Sequence, residues 1–262
     1  MPPAPAARLA SPAARPAPRL LRRLAVAAAV WLAATALFGQ TVDRKVIILD
    51  PGHGGDDNGA RSAAGTFEKD VNLMLAKALR KELSQDSQLQ VLLTREGDQR
   101  LALEERAIHV NRLRADLFFS IHCAHSPQES AAGFLVYYFQ PDADQTDTYH
   151  YLKTPLGGRE LRVLPWNLAQ FQWVPASKEM AGILQRRLNE FYSRSSGAPM
   201  GGPLKLLATV NCPAVLLEAG HLSNPADEQR LDDAGHQDAL ARVLRQAVAE
   251  FLKASEPIRE TP

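Results

Sequence analysis

Four side chains in this sequence are of types that bind metal ions or move protons, and each closes or opens a patterned stretch. His53 lies in the glycine-rich turn Asp50-Pro51-Gly52-His53-Gly54-Gly55, directly after the apolar run 46–49. His122 follows Phe118-Phe119-Ser120-Ile121, and Glu218 follows Val215-Leu216-Leu217. Glu68 opens the segment 68–83, where Val71, Met74, Leu75, Ala78, Leu79 and Leu83 recur at helical spacing. Two histidines and a carboxylate from separate elements make a donor set suited to catalytic zinc, which keeps one position open for water or substrate. Zinc brings the pKa of water it holds toward roughly 7, and a second carboxylate nearby can take that proton and deliver one to a leaving nitrogen. Glu218 suits this second task, because partial burial raises a carboxylate's affinity for a proton. Each residue alone also has a plainer reading. A histidine after a strand is commonly a loop or core residue, and a glutamate at a helix start is favoured by the helix dipole. Gly52, Gly54 and Gly55 would suit a phosphate cradle, but no G-x-G-x-x-G or Walker-type Lys-Ser/Thr follows.

The elements that must position these groups alternate in type. The run 46–49 reads as a buried strand, 68–83 as a helix, 89–94 as a strand, 101–114 as a helix and 116–121 as a strand ending at His122. Further strands are expected at 133–139, 205–208 and 214–218, and helices at 177–192 and 237–252. This order predicts a single α/β domain over 45–253, with a twisted, mostly parallel (mixed) sheet flanked by helices on both faces. Parallel strands would bring His53, His122 and Glu218 to one rim, outside the carboxyl ends of the strands. A helix returning antiparallel to the first strand starts at that rim, which places Glu68 there too. Residues 140–176 break the pattern with four prolines and two glycines among Tyr149, Tyr151, Trp166 and Trp173, and read as an elaborated loop or insertion.

Four separated motifs, Leu49–Asp56, Phe67–Leu73, Ser120-Ile121-His122 and Leu217-Glu218-Ala219-Gly220, resemble those of the zinc-type N-acetylmuramoyl-L-alanine amidases known as amidase 3. Thr94-Arg95, Arg106, Asn111, Gly133 and Leu222-Ser223-Asn224 also fall where that family has similar residues. The resemblance implies one zinc ion held by His53, Glu68 and His122, with Glu218 as the catalytic glutamate. It implies hydrolysis of the amide joining the muramoyl lactyl group to L-alanine of the peptidoglycan stem peptide, in cell-wall remodelling or cell separation. Some relatives place a regulatory helix in the connection corresponding to 140–176, which implies a protein activator. Two positions depart from the family: His221 replaces an aromatic residue and Cys123 a small one. A zinc peptidase cutting within stem peptides, and a wall-binding module without catalysis, are the competing readings; the complete set of four residues argues against the latter.

The amino end differs in character. Arg8, Arg15, Arg19, Arg22 and Arg23 precede the apolar run 24–38, with no acid before it. The run is shorter than the roughly 18–20 residues of a spanning helix, and Ala34-Thr35-Ala36 offers a small-x-small cleavage site. Residues 1–40 therefore read as a signal peptide or membrane-targeting leader in transient contact with the membrane, and the protein as exported to the periplasm or cell envelope. Residues 254–262 read as a carboxyl-terminal tail. Taking the five arginines of residues 1–36 from the 30 basic side chains leaves 25 against 29 acidic ones, a mildly acidic domain that argues against nucleic acid as partner. An apolar fraction of 45% and a charged fraction of 23% exclude disordered and multi-span membrane classes. Cys123 and Cys212 fall at opposite ends of parallel strands, about 17–20 Å apart and beyond disulfide reach, and are expected to be free.

Overall fold

The computed structural model describes residues 44–141, 152–156, 159–163, 166–194 and 197–255. The expected leader at 1–40 lies outside the described residues, as do most of the expected tail and parts of the 140–176 segment. A six-stranded mixed sheet has the order β2-β1-β3-β8-β4-β7. It is built from β1 (Lys45–Pro51), β2 (Leu89–Leu93), β3 (Leu117–Ala124), β4 (Leu135–Phe139), β7 (Met200–Gly202) and β8 (Ala214–His221). β2, β1, β3 and β8 run parallel, β4 runs antiparallel to β8, and β7 is parallel to β4. The central strands are buried on both faces, as their continuous apolar sequences require.

Alternation along each strand divides the core into two layers. Ile47, Leu49, Phe119, Ile121, Val215 and Leu217 pack beneath α1 (Glu68–Leu83), α3 (Val174–Phe191) and α6 (Ala234–Ala254). Ile48, Phe118, Ala214 and Leu216 face α2 (Leu103–Arg112) and the short α4 (Lys205–Ala208) on the other side. The fold is thus the expected mixed α/β sheet with helices on both faces.

Several local expectations need correction. Residues 205–208 form helix α4 instead of a strand: Leu206 and Leu207 are buried, and Lys-Leu-Leu-Ala are good helix formers, so a short apolar run misled. β3 and β8 also continue past the points where they were expected to stop. The pairs His122↔Glu218 and Ala124↔His221 keep the ladder going, with an irregularity between them, so His122 and Glu218 sit inside strands and not at their ends. Helix α5 (Pro225–Asp232) was not anticipated, although its start is well marked: the Asn224 side chain caps the backbone of Ala226 and Asp227, with proline at the first helical position. The 140–176 segment includes an antiparallel pair, β5 (Leu152–Leu156) with β6 (Arg159–Val163), and a 3₁₀ helix (Trp166–Trp173); its last residues already belong to α3. Among the described residues of this segment no α-helix precedes Val174.

Beneath the carboxyl end of β1 lies a buried ionic network. Asp50 and the Arg106 side chain are 0% and 4% exposed, and Arg106 Nη1 donates to Asp50 Oδ1 at 2.5 Å. Thr94 and Ser120 hydroxyls donate to the two oxygens of the same carboxylate. Arg106 also donates to the carbonyls of Pro51 and His53, while Arg95 donates to those of Pro51, Gly52, Gly97 and Lys69. Removing one partner of such a pair strands a charge in the core. Arg106→Met is therefore expected to lose about 3–5 kcal/mol of stability, measured by chemical denaturation; a loss under 1 kcal/mol would contradict this account of the network.

Candidate metal centre

The loop after β1 turns sharply at His53, whose φ of 61° is left-handed and costs a non-glycine residue on the order of 1 kcal/mol. The Arg106 bond to the His53 carbonyl, at 2.7 Å, helps hold that turn. The imidazole then points its Nε2 toward Glu68 Oε1, 3.1 Å away, while Nδ1 meets Asp57 Oδ1 at 2.8 Å. His122, carried on β3, presents Nδ1 to the same Glu68 oxygen at 2.9 Å. The two rings meet edge to face with centroids 5.0 Å apart. Gly52 makes room for this arrangement, since a Cβ there would fall 2.1 Å from His122 Cε1.

Glu68 is the first residue of α1, as expected, but its carboxylate serves the site instead of its own helix terminus. Oε1 also accepts from the Cys123 backbone N–H at 3.1 Å and from Asn72 Nδ2 at 3.3 Å, and Oε2 accepts from the Ala60 N–H at 2.8 Å. Gly59, at φ 63°, lets the loop lie against this carboxylate: a Cβ would come within 2.5 Å of Oε2. Burial works against ionisation of Glu68, but the bonds from His122 and His53 outweigh it and hold the group well below the usual carboxylate range. Burial likewise works against charge on His53, and is overcome by Glu68 and then Asp57, so its pKa is raised.

His53, Glu68 and His122 offer one ligand atom each, all within 4.8 Å of one another. Two imidazole nitrogens and a carboxylate oxygen at this spacing fit a zinc-type donor set. His53 and His122 line a cleft of about 320 Å³ together with Asp57, Arg100, Leu101, Leu103, Arg106 and Leu206. Glu218 is the register partner of His122 on β8. Its Oε2 is buried and has no hydrogen-bond partner among the described residues, and burial pushes its pKa up to about 7. An orphaned carboxylate oxygen of this kind is costly to fold around and is available for a group absent from the protein itself.

The four predicted residues therefore come together at one rim, while the other histidines do not join them. His125 is exposed beyond β3, His109 is exposed on α2, and His236 sits 3.2 Å from the Tyr192 hydroxyl. His150 lies outside the described residues. His221 is buried, with Nδ1 2.9 Å from the Gly133 carbonyl and its backbone N–H bonded to Asp227, so it ties the β3–β4 connection to β8. Both cysteines are free and buried, their thiols pushed up by burial. Asp57 was not anticipated. Its only signal in the sequence is its place four residues after His53 in a glycine-rich turn.

The family model described as N-acetylmuramoyl-L-alanine amidase matches residues 47–250, and the chain belongs to that family. AmiC of Escherichia coli O6:H1, an N-acetylmuramoyl-L-alanine amidase, is 25% identical over 79% of this chain and 52% of its own length. The chain spans about half the length of several curated relatives that it matches. The crystal structure of an N-acetylmuramoyl-L-alanine amidase from Clostridium difficile 630 is 28% identical and covers 81% of this chain and 98% of its own, with a TM-score of 0.66. The CwlD amidase of Clostridioides difficile, solved in complex with the GerS lipoprotein, is 25% identical over 80% of this chain and 100% of its own, with a TM-score of 0.64.

The raised pKa of Glu218 has a consequence for stability without metal. The folded state binds this proton more tightly than the unfolded state, so the stability it contributes is complete below about pH 4.5 and is lost as the pH rises through about 7. Glu218→Gln carries no such charge. It is expected to exceed the metal-free wild type in stability by roughly 2–3 kcal/mol at pH 8 relative to their difference at pH 4, read from denaturation midpoints; a difference that does not change with pH would contradict the burial of an ionisable, unpaired carboxyl.

Proposed function

We propose that this chain is a peptidoglycan hydrolase that cuts the amide between the N-acetylmuramoyl lactyl group and L-alanine of the stem peptide. In this reading one zinc ion is held by His53, Glu68 and His122, and Glu218 is the catalytic carboxylate. The observation that carries the reading is the pairing of the three-residue donor cluster with a carboxyl on the neighbouring strand whose Oε2 has no hydrogen-bond partner among the described residues. Zinc, when bound, supplies a Lewis acid that polarises the scissile carbonyl and makes water acidic near neutral pH.

The chain's own residues do the rest. Glu68, ionised and fixed by Ala60, Asn72 and Cys123, offers a negative ligand whose position is set before anything binds. Glu218 Oε2 takes a proton from the attacking water as its oxygen bonds to the carbonyl carbon. The same oxygen returns a proton to the L-alanine nitrogen as the C–N bond breaks, so the carboxylate ends as it began. A group with a pKa near 7 can do both at neutral pH. The leucines of the cleft wall, Leu101, Leu103 and Leu206, give an apolar flank to a bound muramoyl-peptide and limit the approach of bulk water.

Peptidoglycan lies outside the cytoplasmic membrane. The reading therefore includes export through the leader expected at residues 1–40, followed by the catalytic domain at 45–253, and action in the periplasm or cell envelope. An accessory protein that controls the enzyme belongs to the same proposal, supported by the complex in which the CwlD amidase was solved.

Digestion of purified muropeptides followed by mass spectrometry tests the reaction. Free lactyl carboxyl groups on glycan and free L-alanine amino ends are expected; cuts between amino acids would favour the peptidase alternative instead. Glu218→Gln is expected to keep one equivalent of zinc and lose at least about 100-fold in turnover, the lower range for loss of a general acid–base group. His53→Ala is expected to lose the metal. Full activity in either variant would sink the mechanism.

A further inference from the structure

We infer that Asp57 is a positioning residue that orients His53 for metal binding, an inference that rests on the zinc reading above. The His53 ring has two nitrogens, and only Nε2 faces the cluster. The other, Nδ1, lies 2.8 Å from Asp57 Oδ1. A carboxylate accepts only, so Nδ1 donates to Asp57, and Nε2 meets Glu68 Oε1 in the same way while no metal is bound. The Nε2 proton would give way to a zinc ion while Asp57 keeps the one on Nδ1, leaving the Nε2 lone pair to the metal. The same oxygen accepts the Gly59 backbone N–H at 3.1 Å, and the Gly54 and Asp57 backbones bond to each other in both directions. Asp57 is therefore itself held by the loop it serves.

Two anchors divide the task of fixing His53. Arg106 pins its carbonyl, which sets where the ring begins. Asp57 pins Nδ1, which sets where the ring points. His122 has a different arrangement: its Nδ1, not its Nε2, faces Glu68, and no carboxylate other than Glu68 is bonded to its ring among the described residues. Loss of the Asp57 bond leaves His53 free to rotate about its side-chain torsions and to adopt the tautomer with the proton on Nε2, which cannot donate a lone pair to a metal from that atom. Carboxylates behind metal-binding histidines typically contribute 10–100-fold to affinity.

Zinc affinity, measured by competition with a chromophoric chelator, tests the inference without reference to turnover. Asp57→Ala is expected to bind zinc about 10–100-fold more weakly than wild type, with the metal-free thermal transition confirming that the fold is retained. Asp57→Asn keeps an oxygen that accepts from Nδ1 and from Gly59, and is expected to recover most of the affinity. It also serves as the informative variant should the alanine form fail to fold. Long-range nitrogen–proton spectra of the zinc-loaded wild type and of Asp57→Asn are expected to show His53 protonated on Nδ1. Wild-type affinity in Asp57→Ala would overturn the inference while leaving the zinc site intact; a His53 proton on Nε2 in the zinc-loaded wild type would overturn both the inference and Nε2 as a ligand. A wild-type protein that takes up no zinc would overturn the inference and the zinc reading alike.

Discussion

The pairing of Asp50 with Arg106 is the constraint on which the rest of the site depends. A guanidinium and a carboxylate taken fully out of water are tolerable only when nearly every donor and acceptor is matched. Here Asp50 is satisfied by Arg106, Thr94 and Ser120, and Arg106 also reaches the carbonyls of Pro51, His53 and Leu101. The pair thus joins three strand ends to a helix on one face of the sheet. It also fastens the loop that leaves β1, which would otherwise expose unpaired carbonyls beneath a cleft. Arg95 does the same from the other side, through Pro51, Gly52 and the Lys69 carbonyl at the start of α1. A loop held at so many points can keep His53 in a left-handed conformation that its sequence alone would not favour.

Above this network the sheet supplies the second half of the geometry. Parallel pairing of β3 with β8 sets His122 directly beside Glu218, and the helix following β1 begins at the same rim with Glu68. The two carboxyls then experience opposite surroundings. Glu68 is crowded by imidazoles and backbone donors and stays ionised, whereas Glu218 is half-buried, its Oε2 has no hydrogen-bond partner among the described residues, and it holds its proton up to about 7. Environments that drive two carboxyls apart in this way separate a ligand from a proton carrier. That division of labour is the core of the proposed chemistry.

Much of this was legible in the sequence because strong signals coincide. The long helix of α1 shows regular apolar spacing, and the buried strands β1, β3 and β8 are continuous apolar runs ended by polar residues, so the rim could be inferred from topology alone. The family motifs supplied what periodicity could not, namely why a glutamate at a helix start should turn away from its own helix. Other features left weak traces. β7 has only three residues, two of them glycine, and α4 is too short for its apolar pair to reveal a period. The bond between Asp57 and His53 depends on the sign of one backbone torsion, and the role of Arg106 on the fact that α2 lies directly under the loop. Both are properties of the folded chain and not of local sequence.

The central claim is that three particular atoms meet at one zinc ion. Crystals of the zinc-loaded protein, with data collected on both sides of the zinc absorption edge, test it most directly. The account predicts one anomalous peak bonded to His53 Nε2, His122 Nδ1 and an oxygen of Glu68, with Glu218 close by but not a ligand. A peak that excludes any of the three, or a fully active protein whose crystals show no zinc at this rim, would contradict it.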